Sequence, residues 1–379
     1  MNIKTSGFKC DKTAWKTVKL GEICKLCRGV RVVRSQLSHG RYTVYQNSLI
    51  PLGKYDRCNT PPDTTFIIAA GSAGEIGYSQ EQFWAADDCY YLIPNDGVAS
   101  KFLFYSLLGH QSQISGSVRR GSVPRLARDV IGNLELRLPE GAIQHKITDA
   151  LSAVDTQIVA LQQLLSKYES IKKATVKKLM TPTSDWQEAR LGDFYTVSSG
   201  LSKGAAYFGS GYPFLSFVTV FNNPIVPENL DDLVESSAYE RKQCSVKRGD
   251  VFLTRTSETL DELGMSSVAL RDYPEATFNG FTKRLRPVDD IPLCPEFMAF
   301  YLRTDNFRRS ICQKAAITTR ASLNKDTIVK LAISYPSSSV QREISAHLIS
   351  LDNQRNNFFK ELNKLQQLKQ SMLQYFFGN

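Results

Sequence analysis

The chain has 379 residues, 42% of them hydrophobic and 22% charged, with 23 Gly and 15 Pro. Those values describe an ordinary globular protein of two or three domains and exclude long disorder or a collagen-like repeat. The formal charge of +10 suits a polyanionic partner such as nucleic acid without requiring one. No apolar run reaches the ~18 residues of a membrane span. Met1–Ser6 leads into no apolar segment, so the expectation is a cytosolic protein whose eight cysteines are reduced.

In chain order, the first landmark is Trp15-Lys-Thr-Val-Lys-Leu20-Gly21-Glu22-Ile23. Strands are expected at Val30–Val33, Thr65–Ala69 and Tyr90–Ile93, with a turn at Gly71-Ser-Ala-Gly74 and a short helix over Lys101–Leu108. Leu134-Glu-Leu-Arg-Leu-Pro139 then leads through Gln144 into a long helix from about Ala142 to Met180, with no internal Pro or Gly. Thr181-Pro182-Thr183-Ser184 stops it, because proline cannot continue a helix. The landmarks then return. Trp186-Gln-Glu-Ala-Arg-Leu191-Gly192-Asp193-Phe194 repeats the opening, with Trp186 in the place of Trp15. Leu331-Ala-Ile-Ser-Tyr-Pro336 with Gln341 repeats the close, with Gln341 in the place of Gln144. The chain is thus a duplication. Its second copy is longer inside its globular part, since Trp186 lies further from Gln341 than Trp15 does from Gln144. Val251–Thr254 and Ser267–Leu270 are expected strands there, and Pro295–Arg303 an expected helix. A second long helix follows from about Val340 to Phe376.

Both long helices carry apolar residues at 3-4 spacing: Val154, Ile158, Leu161, Leu165 and Tyr168 in the first, Leu351, Phe358, Leu362, Leu365 and Met372 in the second. Aligned on Gln144 and Gln341 the stripes share one register, and each has a lysine at the same seam position, Lys172 and Lys369. Such stripes predict that the helices pair as a coiled coil. Each would span on the order of 55–60 Å and serve as a spacer.

Catalytic signatures are not found. Cys24-Lys-Leu-Cys27 has no second cysteine pair to complete a structural zinc site, so buried reduced thiols are expected. There is no GxxxxGK[ST] phosphate loop and no GxSxG elbow. Asn223-Pro224-Ile225-Val226 fails the base-holding tetrapeptide of amino-methyltransferases at its last two positions. Catalytic, cofactor and metal residues are therefore read as none, and a binding protein is favoured.

The binding signal is basic. Arg119-Arg120-Gly121-Ser122-Val123-Pro124-Arg125-Leu126-Ala127-Arg128 places four arginines in a Gly/Ser/Pro loop, where guanidinium and backbone N–H groups can approach phosphates or guanine edges. The second copy offers Lys314 to Lys325 in the same place, with Thr318, Thr319 and Arg320. Arg28, Arg31 and Arg34 are expected in a strand at spacing three and cannot all share one face; Arg255 follows a strand end. Lys203, Lys283 and Arg284 are expected to be solvated single charges. The candidate DNA contacts are Arg31, Arg119, Arg120, Arg125 and Arg128, then Arg255, Thr318, Thr319, Arg320 and Lys325.

The paired WxxxxLG[ED] openings, the Gly121-Ser-Val-Pro-Arg-Leu126 loop and the repeated strand-Pro-to-Gln approach carry a likeness. So does Gly249-Asp-Val-Phe-Leu-Thr-Arg255-Thr-Ser257 with Gly264-Met-Ser-Ser-Val268. Through them nearly the whole chain resembles the specificity subunit of Type I restriction-modification systems. The resemblance implies an α+β fold: two pseudo-repeated mixed α/β target recognition domains separated by two long antiparallel helices. The domains would be 1–141 and 185–339, with spacer helices in 142–184 and 340–379. It implies one half of a bipartite double-stranded DNA site per domain, and no catalysis on this chain. It also implies two modification subunits that bind S-adenosylmethionine and methylate adenine, and restriction subunits that join them. The second loop departs from the pattern as Ala316-Ile-Thr-Thr-Arg320, with Arg320 standing in for Arg125. The alternatives are a stand-alone DNA-binding regulator and an enzyme with an unrecognised site.

Overall fold

A computed structural model describes residues 12–378, apart from 258, 260, 261 and 318–320. The chain divides into two compact units: residues up to 164 together with 359 onward, and residues 165–358. Each is a mixed α/β domain packed on a pair of helix halves.

In the first unit, β1 (Lys16–Lys19) pairs antiparallel with β9 (Glu135–Leu138) and closes the domain at its base. Between them run β2 (Cys24–Arg28), β3 (Tyr42–Tyr45), β4 (Gly53–Tyr55), β5 (Thr64–Ile68), β6 (Ile76–Ser79), β7 (Phe83–Ala85) and β8 (Cys89–Pro94). The main sheet has the order β2-β8-β5-β6, and a smaller one β4-β3-β7. The short helices are α1 (Leu20–Ile23), α2 (Ser100–Gly109), α3 (Gln111–Gly116) and α4 (Arg128–Gly132), followed by the long α5 (Gly141–Leu179).

The second unit repeats the plan. β10 (Gln187–Arg190) pairs with β21 (Ala332–Tyr335) at the base. The other strands are β11 (Tyr195–Ser199), β12 (Phe208–Leu215), β13 (Leu233–Val234), β14 (Val251–Thr254), β15 (Thr256–Ser257), β16 (Ser266–Val268), β17 (Thr277–Phe278), β18 (Thr282–Pro287), β19 (Ala316–Ile317) and β20 (Ala321–Ser322). They form sheets β11-β18-β14-β16, β13-β12-β17 and β15-β20-β19. The helices are α6 (Leu191–Phe194), α7 (Phe217–Asn222), α8 (Ala238–Gln243), α9 (Pro295–Tyr301), α10 (Asp305–Lys314), α11 (Lys325–Val329) and the long α12 (Ser338–Phe377).

The repeated motifs prove to be the frame. The Leu-Gly pair starts a four-residue helix after the base strand: Leu20 N–H donates to Leu134 O at 2.9 Å, and Leu191 N–H to Leu331 O at 2.9 Å. The following acid turns back to cap it, Glu22 accepting from Lys19 N–H at 3.0 Å and Asp193 from Arg190 N–H at 2.7 Å. Glycine is needed because the turn lies against its neighbour: a Cβ at Gly192 would stand 2.8 Å from Val329 Cβ. Gln144 is buried and accepts from Ala99 N–H (3.0 Å) while donating to Gly97 O (3.1 Å) and Pro139 O (2.9 Å). Gln341, equally buried, accepts from Cys294 N–H (2.8 Å) and donates to Pro292 O (2.8 Å) and Pro336 O (2.9 Å). One amide thus ties the base strand, the start of a short helix and the long helix in each copy.

Both long helices contribute one half to each unit, and in each unit the halves run antiparallel. In the first, Trp15, Phe102, Tyr105, Ile147 and Leu151 pack with Leu373, Phe376 and Phe377, and Lys369 Nζ pairs with Asp155 at 2.7 Å. In the second, Lys172 pairs with Asp352, and Arg355 with Glu169. In the alignment that lays Gln144 on Gln341, Asp155 falls on Asp352 and Lys172 on Lys369. The seam lysines seen in sequence therefore have one ion-pair partner each, exchanged between the helices.

One expected strand fails. Residues 30–33 form none: Gly29 passes so close to the neighbouring chain that a Cβ there would lie 2.0 Å from Ala86 O, and β2 ends at Arg28. Arg31 is exposed in the loop that follows, and Arg34 opens a 3-10 turn (Arg34–Gln36).

Candidate nucleic-acid interface

One inner strand of each main sheet, β5 in the first and β14 in the second, ends on a clamped hairpin. In the first domain Ala69, just past β5, donates to Asp88 O (2.6 Å) and accepts from Leu126 N–H (2.8 Å). Arg125 bridges Ala70 on one side and Arg119 on the other, with Arg119 N–H to Arg125 O at 2.9 Å and the reverse bond at 3.1 Å. Residues 119–125 therefore form a hairpin fastened across the end of the sheet. Its arginines, Arg119, Arg120 and Arg125, are exposed. With Arg28, Asp88 and Tyr90 they line an open cleft of about 350 Å³. Arg28 is steadied by Nε donating to Asp87 O at 3.0 Å. Burial, then the neighbouring Asp87, pushes the Asp88 carboxyl above the usual carboxylate range, while Arg125 and Arg28 pull it down. Arg128 starts α4 and donates from Nη2 to Leu26 O at 2.6 Å, which fastens α4 to β2.

The second domain has the same backbone bonds. Arg255 N–H donates to Phe281 O (3.0 Å), and Leu323 N–H to Arg255 O (2.8 Å). Ser322 pairs with Thr256 on one side and Ala316 on the other. Position by position, Arg255 stands for Ala69, Phe281 for Asp88 and Ser322 for Arg125. The pair Arg28–Tyr90 becomes Ser199–Lys283. The substitution expected from the loop motif is corrected: Ser322, not Arg320, occupies the place of Arg125. The hairpins superpose in register when the Arg119–Arg125 bridge is laid on the Ala316–Ser322 pair, the second adding the pair Ile317–Ala321. Thr318, Thr319 and Arg320 lie outside the described residues.

The chemistry at these places differs. Arg255 is half-buried, its guanidinium 5.9 Å from the exposed Phe281 ring, and its Nε is buried with no hydrogen-bond partner. Lys283 donates to Ser199 Oγ at 2.7 Å; burial, then Arg255, lowers its pKa. Lys325 is exposed in the first turn of α11. The expectation that Lys203, Lys283 and Arg284 are solvated fails. Lys203 pairs with Glu240 at 3.0 Å. Arg284 is 7% exposed and donates to Ser245 O at 2.7 Å, because it sits on the covered face of the central strand β18. Asp88, Tyr90 and Phe281 were not among the residues singled out in sequence. They sit at strand ends, and no local pattern marks them.

Among the described residues no group of three or more His, Cys, Asp or Glu side chains could hold a metal ion. Cys24 donates its thiol to Leu20 O at 3.2 Å, and burial, then Cys27, pushes its pKa up to about 12. Among the described residues no helix is long and apolar enough to cross a membrane.

The duplicated frame has a known counterpart. The family model for the Type I restriction modification DNA specificity domain matches twice, over residues 12–171 and 183–370. The chain belongs to this family. The specificity subunit of the MjaVIII Type I restriction enzyme from Methanocaldococcus jannaschii is 19% identical, over 95% of this chain and 91% of that one. The specificity subunit of the MpnII enzyme from Mycoplasma pneumoniae is 26% identical over 37% of this chain and 44% of that one. The fold is that of the Type I S subunit from M. genitalium, with a TM-score of 0.69, 16% identity and 98% of each chain covered. The two specificity domains of this chain are thus its two target recognition domains, joined to paired antiparallel helices in an α+β fold.

Proposed function

We propose that the chain is the DNA-reading subunit of a Type I restriction-modification complex, recognising an asymmetric site of two specified blocks around an unspecified gap. Each domain reads one block. In this reading the chain binds double-stranded DNA in the cytoplasm and carries no cofactor of its own. Two modification subunits bring S-adenosylmethionine and methylate adenine where the chain places them, and restriction subunits can join.

The observation that carries the reading is one frame with two different sets of side chains at the hairpin-clamped strand ends. The base ladder, capped turn, glutamine tie and hairpin clamp recur bond for bond, while Arg28, Asp88, Tyr90 and Arg125 become Ser199, Phe281, Lys283 and Ser322. A frame kept over changing donors and acceptors suits two readers of different base edges. Arg119, Arg120 and Arg125 are the proposed contacts of the first domain, with the exposed Arg31 as a further one and Arg128 holding α4. Arg255, Thr318, Thr319, Arg320 and Lys325 are those of the second.

The test is co-expression with the modification subunits and sequencing of the methylated bases. The expected result is adenine methylation within one two-block, non-palindromic motif. Methylation without a motif, or a palindromic motif, would overturn the reading. A stand-alone regulator would instead bind its site fully without partners.

A further inference from the structure

The two domains differ in the polar groups they offer: the acceptor Asp88 of the first gives way to Phe281 in the second, and Ala69 gives way to the donor Arg255. In the first domain the strand-end place is held by Asp88, a carboxylate flanked by Arg28 and Arg125 yet within salt-bridge distance of no Lys, Arg or His nitrogen among the described residues. It is not a brace for the hairpin, which is fastened through its backbone. A carboxylate beside phosphate-seeking arginines is repelled by DNA unless it accepts a hydrogen bond from the duplex. The groups that offer one in the major groove are the exocyclic amines, cytosine N4 and adenine N6. In the second domain a positive charge stands on the strand side, where the first has none at the matching place. Arg255 replaces Ala69, and its guanidinium has no acceptor among the described residues, with Nε buried and unpartnered. Lys283 stands beside it on β18, and the exposed Phe281 ring lies 5.9 Å from the guanidinium. Nε is closed off from any ligand, so the donors left for one are the terminal Nη groups, which have no acceptor among the described residues. Acceptor pairs are what guanine presents as O6 and N7.

We propose that Asp88 selects an amino-bearing base, cytosine or adenine, in the block read by the first domain, and that Arg255 with Lys283 selects guanine in the block read by the second. The inference rests on the proposed function and goes beyond it in naming which side chain reads which class of base. A purely phosphate-binding role for Arg255 would weaken all sequences alike and lower the salt slope by about one.

The experiment uses the full chain assembled with its modification subunits and a pool of random-sequence duplexes, with the bound fraction sequenced. Variants are Asp88→Asn, Asp88→Ala, Arg255→Gln and Lys283→Gln, each checked by thermal melting so that a misfolded variant leaves its partner variant to decide. Discrimination at one position should fall by roughly 5- to 150-fold in each case. For the Asp88 variants that position lies in one block and carries C or A; for the Arg255 and Lys283 variants it lies in the other and carries G. The untouched block should keep its full preference. An unchanged motif, or a uniform loss of affinity across all sequences, overturns the inference while leaving the proposed function standing. A wild-type complex that selects no motif removes both.

Discussion

The two target recognition domains differ least where they are most buried and most where they are open. Phe102 and Phe297 are at most 1% exposed, and each packs on its domain's opening tryptophan. Gln144 and Gln341 make the same three bonds. The length difference is concentrated elsewhere. Val44 answers to Phe214 and Ile67 to Leu253, and the chain between these points is much longer in the second copy, where the added segment carries α7 and α8. Burial and hydrogen-bond satisfaction constrain a residue from every side, so the frame tolerates little change. A cleft residue is constrained from one side by the protein, and its other side is left to the ligand.

The strongest test of the shared frame is removal of its central aromatic. Phe102→Ala and Phe297→Ala should each cost about 3–5 kcal/mol, the usual loss for a buried Phe. Denaturant unfolding that found one variant near wild type would break the equivalence. The glutamine ties come next. Gln144→Leu and Gln341→Leu leave a buried N–H and two carbonyls unpaired and should each cost about 3 kcal/mol, at the upper end for an unsatisfied group. Matched shifts in the two midpoints sharpen the comparison, and a silent Gln341→Leu would count against it.

The clefts should respond unequally. Arg125→Ala is expected to weaken cognate DNA by about 1–3 kcal/mol if the side chain meets a base edge, and by a smaller, salt-dependent amount if it meets phosphate. Ser322→Ala, at the same place in the second domain, should change affinity by less than about 0.5 kcal/mol, as for a surface substitution. Binding titrations at two salt concentrations decide it, and equal losses would contradict the divergence of the clefts. The smallest effects belong to the helix seam. Lys172→Met and Lys369→Met each remove one partly exposed ion pair, with Asp352 and Asp155, and should cost about 0.2–1 kcal/mol. That loss should shrink further at about 1 M salt, and the two variants should behave alike.

Part of the interface could be read in advance. The arginines of 119–125 stood out because they crowd a short turn-rich loop, and the structure places Arg119, Arg120 and Arg125 on one exposed hairpin. Arg31 was assigned to a strand because Val30–Val33 is β-branched, but the close approach at Gly29 diverts the chain before it. Arg284 looked like a surface charge, since nothing local says that β18 is central and covered on that face. Arg320 was matched to Arg125 by counting within a motif, whereas the bridge partners put Ser322 there.

What the sequence alone determined is whatever is periodic or repeated. The duplication follows from recurring Trp, Leu-Gly and Pro-to-Gln landmarks. The two long helices follow from 3-4 apolar spacing without Gly or Pro, and their common register from the shared place of Lys172 and Lys369. These are local signals, set by the geometry of one helix or one turn. The tertiary structure decided which side chains meet at the cleft. Asp88, Ala69 and Arg125, or Phe281, Arg255 and Ser322, come from three separate segments joined by strand register, and register is fixed by bonds between distant strands. Trp15 answers to Trp186, Tyr90 to Lys283 and Arg125 to Ser322, and the separation within each pair grows along the chain. No single displacement of the sequence could therefore have superposed those residues; the hydrogen bonds of the folded sheets do.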